Sequence, residues 1–326
     1  MIRSRLIAWI AGWLPRRAHR LRVLRLHRLE RALRRRYDAY TGPVVTRVHG
    51  YPARLNGGNP YPFLVAENPL FNRPLVELVR QVAAQQGRPA VVIDVGASLG
   101  NTVLLLKSQA SESIAALHCV EADEAFFSLL QENTARFPDV VLHRAMLARE
   151  PKLVASLVHH HPGTAAAIGR ETVPATTLDL LLADRLDHHD VLKIDIDGSD
   201  GEALQGAVKL LRRDRPAVIF EWHPHLVRQA GNDPQAAFAA LSTAGYRRLL
   251  WFRNTGHFSH FSSPDCPEIA TWEHYLLAMQ PCGDPHFDIV ALPAELERLT
   301  FNLAALGELP QSGGAHCGDG TSVSST

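Results

Sequence analysis

Ala90-Val91-Val92-Ile93-Asp94-Val95-Gly96-Ala97-Ser98-Leu99-Gly100-Asn101 is the segment on which the fold turns. Its first six residues are apolar except for Asp94 and show no polar alternation. That is the pattern of a strand buried on both faces, as in a parallel sheet covered by helices. Gly96 and Gly100 then permit a tight turn into a helix over Leu99–Ser108, whose amino terminus presents free N–H donors.

The same alternation continues outward. Strands are expected at Ile114–Val120, Val140–Ala145, Val191–Ile196, Ala217–Glu221, Arg247–Phe252 and His274–Met279. Helices are expected at Pro74–Gln86, Glu124–Phe137, Leu178–Arg185, Glu202–Arg212 and Gln235–Ala244, with a short apolar run at Leu153–Val158. The fold class read from this order is α/β, a Rossmann-like, mostly parallel sheet with helices on both faces. Its last two strands pair as an antiparallel edge across the loop 254–271. The corresponding domain is 90–306, preceded by a loop-rich lid and lead-in helix at 41–89. A Gly/Ser-rich tail at 307–326 reads as disordered.

Residues 1–40 carry twelve arginines against Glu30 and Asp38, a charge of +10, so the rest of the chain is −9 against a total of +1. One localised basic element on an acidic body argues against a nucleic-acid-binding surface. The apolar run Leu6–Leu14 spans about 14 Å as a helix, too short to cross a bilayer. From Arg16, Leu21, Leu24, Leu29, Leu33 and Tyr37 recur among arginines as a basic amphipathic helix. Two readings of this N-terminal extension stay open. It rests on the inner membrane face with Trp9 and Trp13 at headgroup depth, or its apolar stripe caps the body or a partner. Cys119, Cys266, Cys282 and Cys317 form no C-x-x-C pair, which points to the cytoplasm and to neither a zinc site nor a disulfide framework. His159-His160-His161 and His188-His189 are expected in exposed loops, and no metal site is expected. The oligomeric state is not legible.

The turn itself admits several chemistries. A dinucleotide fold wants three glycines in G-x-G-x-x-G, and the middle one is missing. Gly96-Ala97-Ser98-Leu99-Gly100 fits the G-x-S-x-G elbow of a serine hydrolase, with Ser98 as nucleophile, but no βα units or oxyanion loop precede it. An adenosylmethionine turn requires a carboxylate near the first strand's end and a second at the next, for the ribose hydroxyls. Asp94 and Glu121 stand there. The same two acids could also be plain helix caps. Further on, Asp195-Ile196-Asp197-Gly198-Ser199 is compatible with a phosphatase start or an imperfect calcium loop, both out of place on a fourth strand.

Taken together, Val92–Asn101, Val120-Glu121-Ala122, Thr177-Leu178-Asp179, Leu192-Lys193-Ile194-Asp195-Ile196-Asp197-Gly198 with Glu202, Leu204, Gly206 and Ala207, and Pro216–Glu221 resemble the FkbM family of methyltransferases over residues 90–280. Asp197 departs from the family's usual Glu, keeping the charge on a shorter arm. The resemblance implies S-adenosyl-L-methionine as cofactor and, usually, O-methylation of a hydroxyl on a sugar, glycolipid or polyketide-type acceptor. It places cofactor contacts at Asp94, Gly96, Ala97, Ser98, Leu99, Gly100, Asn101, Glu121 and Ala122.

In-line methyl transfer needs an aligned acceptor oxygen and a base. The fourth and fifth strand ends offer Asp195, Asp197, Glu221 and His223. Asp197 or His223 is the expected base, with His223 equally readable as a satisfied histidine before Pro224. Asp195 is expected to position the cofactor's methionine end or the acceptor, and Lys193 to hold the acidic cluster. Tyr61, Phe63 and Phe71 in the loop 56–72 are expected either to close over the acceptor or to anchor that loop. A serine hydrolase and a non-catalytic scaffold remain the alternatives.

Overall fold

The structure is a computed structural model and describes residues 2–23, 26–161, 164–183, 188–280, 285–299 and 301. The chain opens with helices α1 (Ile2–Val23) and α2 (His27–Asp38), followed by a hairpin of β1 (Val44–Val48) and β2 (Tyr51–Leu55). Then come α3 (Tyr61–Glu67), α4 (Arg73–Gln86), β3 (Ala90–Val95), α5 (Asn101–Gln109), β4 (Ile114–Glu121), α6 (Glu124–Thr134) and β5 (Val140–Arg144). A three-stranded sheet of β6 (Met146–Leu147), β7 (Lys152–His161) and β8 (Thr164–Thr176) intervenes. It is followed by α7 (Leu178–Leu181), β9 (Val191–Ile194), α8 (Asp200–Gln205), α9 (Val208–Arg213), β10 (Ala217–Trp222), α10 (Pro224–Gln229) and α11 (Ala236–Thr243). Then come β11 (Arg248–Arg253), β12 (Phe258–Ser262), α12 (Glu268–Met279) and β13 (Phe287–Leu292), with a 3-10 turn at Ala294–Leu296 after it.

The main sheet has the order β12-β11-β13-β10-β9-β3-β4-β5. Strands β10, β9, β3, β4 and β5 are mutually parallel, and β13 lies antiparallel between β10 and β11. Because side chains alternate along a strand, β3 feeds two cores. Ile93 and Val95 pack with Leu204, Trp222 and Phe238 on one face, while Ala90 and Val92 pack with α4 and α5 on the other. The strand order reverses between β3 and β9, and the crevice at that switch point is where open α/β sheets bind ligands.

Three expectations are corrected. His274–Met279 belongs to helix α12: Ile269, Glu273 and Leu276 are its buried positions, a helical spacing, and a short apolar run does not by itself separate the two states. β11 instead pairs antiparallel with β13, an apolar run between Pro285 and Pro293, and on its other side with the edge strand β12, which lies in the expected loop 254–271. The single helix 202–212 is two, α8 and α9, divided at Gly206-Ala207. His159–His161 end strand β7 rather than lying in a loop, and His189 is fully buried, its Nδ1 2.7 Å from Asp214 Oδ2. The loop-rich lid at the start of 41–89 contains both the β1–β2 hairpin and α3, and the tail 307–326 lies outside the described residues.

The N-terminal helices spend their apolar stripe on the body. Ile7, Ile10, Ala11 and Leu14, three and four apart, are buried with Val44, Val48, Leu55, Tyr61, Phe63, Leu99 and Leu104. Full burial of each such side chain contributes about 1.5–3 kcal/mol. Among the described residues no helix is long and apolar enough to cross a membrane.

Candidate active site

Register, rather than sequence proximity, assembles the site. Asp94 on β3 pairs with Lys193 on the neighbouring parallel strand, so the two side chains stand side by side. Asp94 is fully buried, with Lys193 Nζ 2.9 Å from its Oδ1. Two residues on, and therefore on the same face, Asp195 Oδ2 lies 3.5 Å from the same ammonium. Burial alone would lower the Lys193 pKa, but the facing Asp94 and Asp195 carboxylates outweigh it and hold the ammonium charged. Lys193 thus clamps the acidic cluster.

The turn after β3 is strapped to β4: the N–H groups of Gly96 and Ala97 both donate to the Val120 carbonyl, at 3.0 and 3.1 Å. Gly96 has φ +78°, and a Cβ there would stand 1.8 Å from the Asp195 carbonyl oxygen, so only glycine fits. Glu121, at the tip of β4, accepts from the Ser98 N–H at 2.7 Å and the Asp123 N–H at 2.8 Å. Burial pushes its carboxyl up to about 7 despite those two donors. Ser98 is held at φ +48° by this grip. Among the described residues no hydrogen bond joins Ser98 to a histidine. The buried pair His189–Asp214 sits at the amino end of β9, away from the turn.

At the end of β9, Asp197 adopts φ +49° and Gly198 φ +92°. Aspartate tolerates this left-handed region better than most residues, while a Cβ on Gly198 would meet the Leu226 backbone at 2.5 Å. Burial, then the neighbouring Asp195 and Asp200 carboxylates, raise Asp197 to about 8. Glu221, at the end of β10, is raised well above the ordinary range by burial and by the same acids. Its Oε2 lies 3.3 Å from His286 Nε2, and His286 stacks on His223 with ring centroids 5.2 Å apart. His223 caps α10, its Nδ1 accepting from the Leu226 N–H at 3.4 Å. An imidazole accepting at Nδ1 carries its neutral-state proton on Nε2 and has no second lone pair to offer a substrate.

These groups face one cavity of about 560 Å³. One end of it is formed by Gly96, Ala97, Ser98, Asn101, Glu121 and Ala122, and the other by Lys193, Asp195, Asp197, Glu221 and His223. Asp94, Leu99 and Gly100 lie behind the wall: Asp94 reaches the cavity through Lys193, Leu99 packs into the N-terminal core, and Gly100 precedes α5. Tyr61 and Phe71 line the cavity, whereas Phe63 turns away to pack edge-on against Tyr37. His286, Asn254 and Gln229 also reach the wall and were not singled out from the sequence. Among the described residues, none group into a cluster of three or more His, Cys, Asp or Glu suited to a metal ion.

On the cavity wall the buried Asn101 Oδ1 has no hydrogen-bond partner among the described residues. With a glycine cradle, a ring of carboxylates and a carboxylate at the second strand tip, it suits a ligand combining a ribose with cationic groups. The sheet order and this site define the class of S-adenosylmethionine-dependent methyltransferases. The family model described as the methyltransferase FkbM domain matches residues 94–248.

Among solved structures, a methyltransferase FkbM from Methylobacillus flagellatus KT is similar at 15% identity and a TM-score of 0.40. The alignment covers 62% of this chain and 43% of that one. TYW2 of M. jannaschii in complex with AdoMet is similar at 12% identity, covering 78% and 86%, with a TM-score of 0.40. The fibrillarin pre-rRNA processing protein of Methanococcus jannaschii gives 10%, 69%, 76% and 0.39 for the same quantities. No curated protein matches the chain significantly.

Proposed function

We propose that the chain moves the methyl group of S-adenosylmethionine onto a hydroxyl oxygen of a saccharide, glycolipid or related natural product. The observation that carries this reading is a single cavity with a nucleoside-binding end at Glu121 and a ring of buried carboxylates at Asp195, Asp197 and Glu221. The cofactor, bound there, supplies an electrophilic methyl on a sulfonium. Glu121 would accept from the ribose hydroxyls, while Asn101 and Asp195 would take the cationic amino end. Lys193 keeps Asp94 and Asp195 from repelling each other. Tyr61 and Phe71 offer ring faces to a sugar.

Asp197 is the base. Its carboxylate would take the acceptor's hydroxyl proton, while the cofactor, when bound, would supply the methyl group and leave as its thioether. A carboxylate raised to about 8 sits near neutral pH, where a general base is most effective. His223, committed at Nδ1 to its helix cap, orients the loop instead. The exposed arginines of α2, Arg28, Arg31, Arg35 and Arg36, with the exposed Trp9 on α1, support contact with an anionic membrane surface.

The test is transfer of tritiated methyl from S-adenosylmethionine to a glycolipid fraction. The product label should resist mild alkali, as an ether does. Asp197→Asn should slow transfer by roughly 10²- to 10⁴-fold while keeping cofactor affinity within threefold. Alkali-labile label, or an unimpaired Asn variant, refutes the assignment.

A further inference from the structure

A second, smaller cavity of about 320 Å³ lies where the N-terminal helix, the β1–β2 hairpin and the lid helix α3 meet. Three arginines stand on its wall, each from a different element: Arg16 of α1, Arg47 of β1 and Arg73 at the start of α4. Among the described residues lining it none is acidic. Arg47 donates one N–H to the Gly50 carbonyl at 2.7 Å, and Arg73 donates one to Gln109 Oε1 at 2.5 Å. A guanidinium carries five donors, so both keep others for a ligand. His49, held at φ +48°, adds a ring whose Nε2 is 2.8 Å from the Tyr61 hydroxyl.

Tyr61 and Phe71 line this cavity and the larger one alike. The two chambers therefore share a wall, one rimmed by arginines and the other by carboxylates. A ligand spanning that wall would carry an anion on one side and a neutral hydroxyl on the other. Guanidinium groups from separate elements, without counter-charge, match the spread oxygens of phosphate better than a single carboxylate.

We infer that the smaller cavity binds the phosphate or diphosphate group of the acceptor whose hydroxyl enters the larger one. This rests on the proposed methyl transfer for its role in catalysis, but not for the binding itself. The acceptor class is then a sugar attached to a phosphate or diphosphate, from either a lipid carrier or a nucleotide.

Titration calorimetry of the full chain with inorganic pyrophosphate, at constant ionic strength, should show saturable single-site binding. Arg47→Gln and Arg73→Gln should each weaken it by roughly tenfold, and the exposed Arg16→Gln by at least threefold, with S-adenosylmethionine affinity unchanged within twofold. Displacement of pyrophosphate by geranyl diphosphate alone would mark a lipid-borne phosphate, and displacement by uridine diphosphate glucose alone a nucleotide-borne one. Unsaturable pyrophosphate binding, or equal binding by all three variants and the parent, overturns the inference. Pyrophosphate binding without any S-adenosylmethionine binding would leave this site standing and sink the methyltransferase reading instead.

Discussion

Glu121→Gln isolates the grip on the nucleoside. In the parent, one carboxylate oxygen takes the Ser98 N–H and the other the Asp123 N–H, at 2.7 and 2.8 Å. Glutamine has a single acceptor oxygen, so its NH₂ must face one of those donors and strand a buried N–H, at a cost of about 1–3 kcal/mol. The charge-assisted bonds to the ribose, each about 1.5–3 kcal/mol, weaken as well. The first cost falls on free and bound protein alike and lowers stability, so the loss of affinity is that of the ribose bonds, roughly 1.5–3 kcal/mol, about ten- to a hundredfold in Kd for S-adenosylmethionine. The pH dependence sharpens the test. With burial raising Glu121 to about 7, about a tenth of the protein carries the ionised form at pH 6 and about nine-tenths at pH 8. Parent affinity should therefore climb by up to about ninefold over that interval on account of this group, and the variant should lose that part of the slope. Isothermal titration at pH 6, 7 and 8 reads both effects. A Gln variant that binds within threefold of the parent, with the same pH slope, would refute the role given to Glu121.

Gly96→Ala should abolish cofactor binding and lower the melting temperature in a thermal scan, since its methyl would overlap the Asp195 carbonyl at 1.8 Å and the φ of +78° disfavours any Cβ. A soluble variant binding normally would show that the turn is not packed as described. Replacing Arg31, Arg35 and Arg36 together by Gln should reduce co-sedimentation with vesicles containing phosphatidylglycerol by at least tenfold, and leave the already weak pull-down by neutral vesicles unchanged. Equal sedimentation of parent and variant would remove the membrane reading of the N-terminal helices.

The strand ends were legible where chemistry is local. An apolar strand, a glycine turn and an acid at the next strand tip can be read along the chain, and the structure brings Glu121 onto the Ser98 N–H. The Asp94–Lys193 pair could not be read that way. The two residues lie 99 positions apart and meet only because β9 enters the sheet beside β3, a choice of strand order set by helix packing on both faces. His286 was hidden for a related reason. It precedes β13, which slots antiparallel between β10 and β11, and with α12 mistaken for the edge strand nothing pointed to a partner for Glu221. The apolar run 287–292 between two prolines was the available signal. Phe63 takes the second of its two readings, anchoring the loop, a choice made only once the N-terminal helices supply a core for it.

The cluster of raised carboxyls has a further consequence for turnover. Burial and mutual repulsion hold Asp197 at about 8 and Asp200 and Asp288 at about 7, with Lys193 the buried ammonium among them. Such a site lacks positive charge once these acids ionise, and a sulfonium supplies it while the thioether product does not. A cation stabilises the ionised carboxylates, so its binding releases protons and strengthens as pH rises through 7 to 8; binding of the neutral thioether carries no such coupling. The preference for S-adenosylmethionine over S-adenosylhomocysteine should therefore widen between pH 6 and pH 8, by up to about tenfold for an acid at about 7 and about fiftyfold for Asp197 at about 8. Paired calorimetric titrations of the two nucleosides across that range measure the ratio directly. A ratio flat with pH would mean that the carboxylates do not sense the reacting sulfur, and the assignment of Asp197 as its neighbour would fall with it.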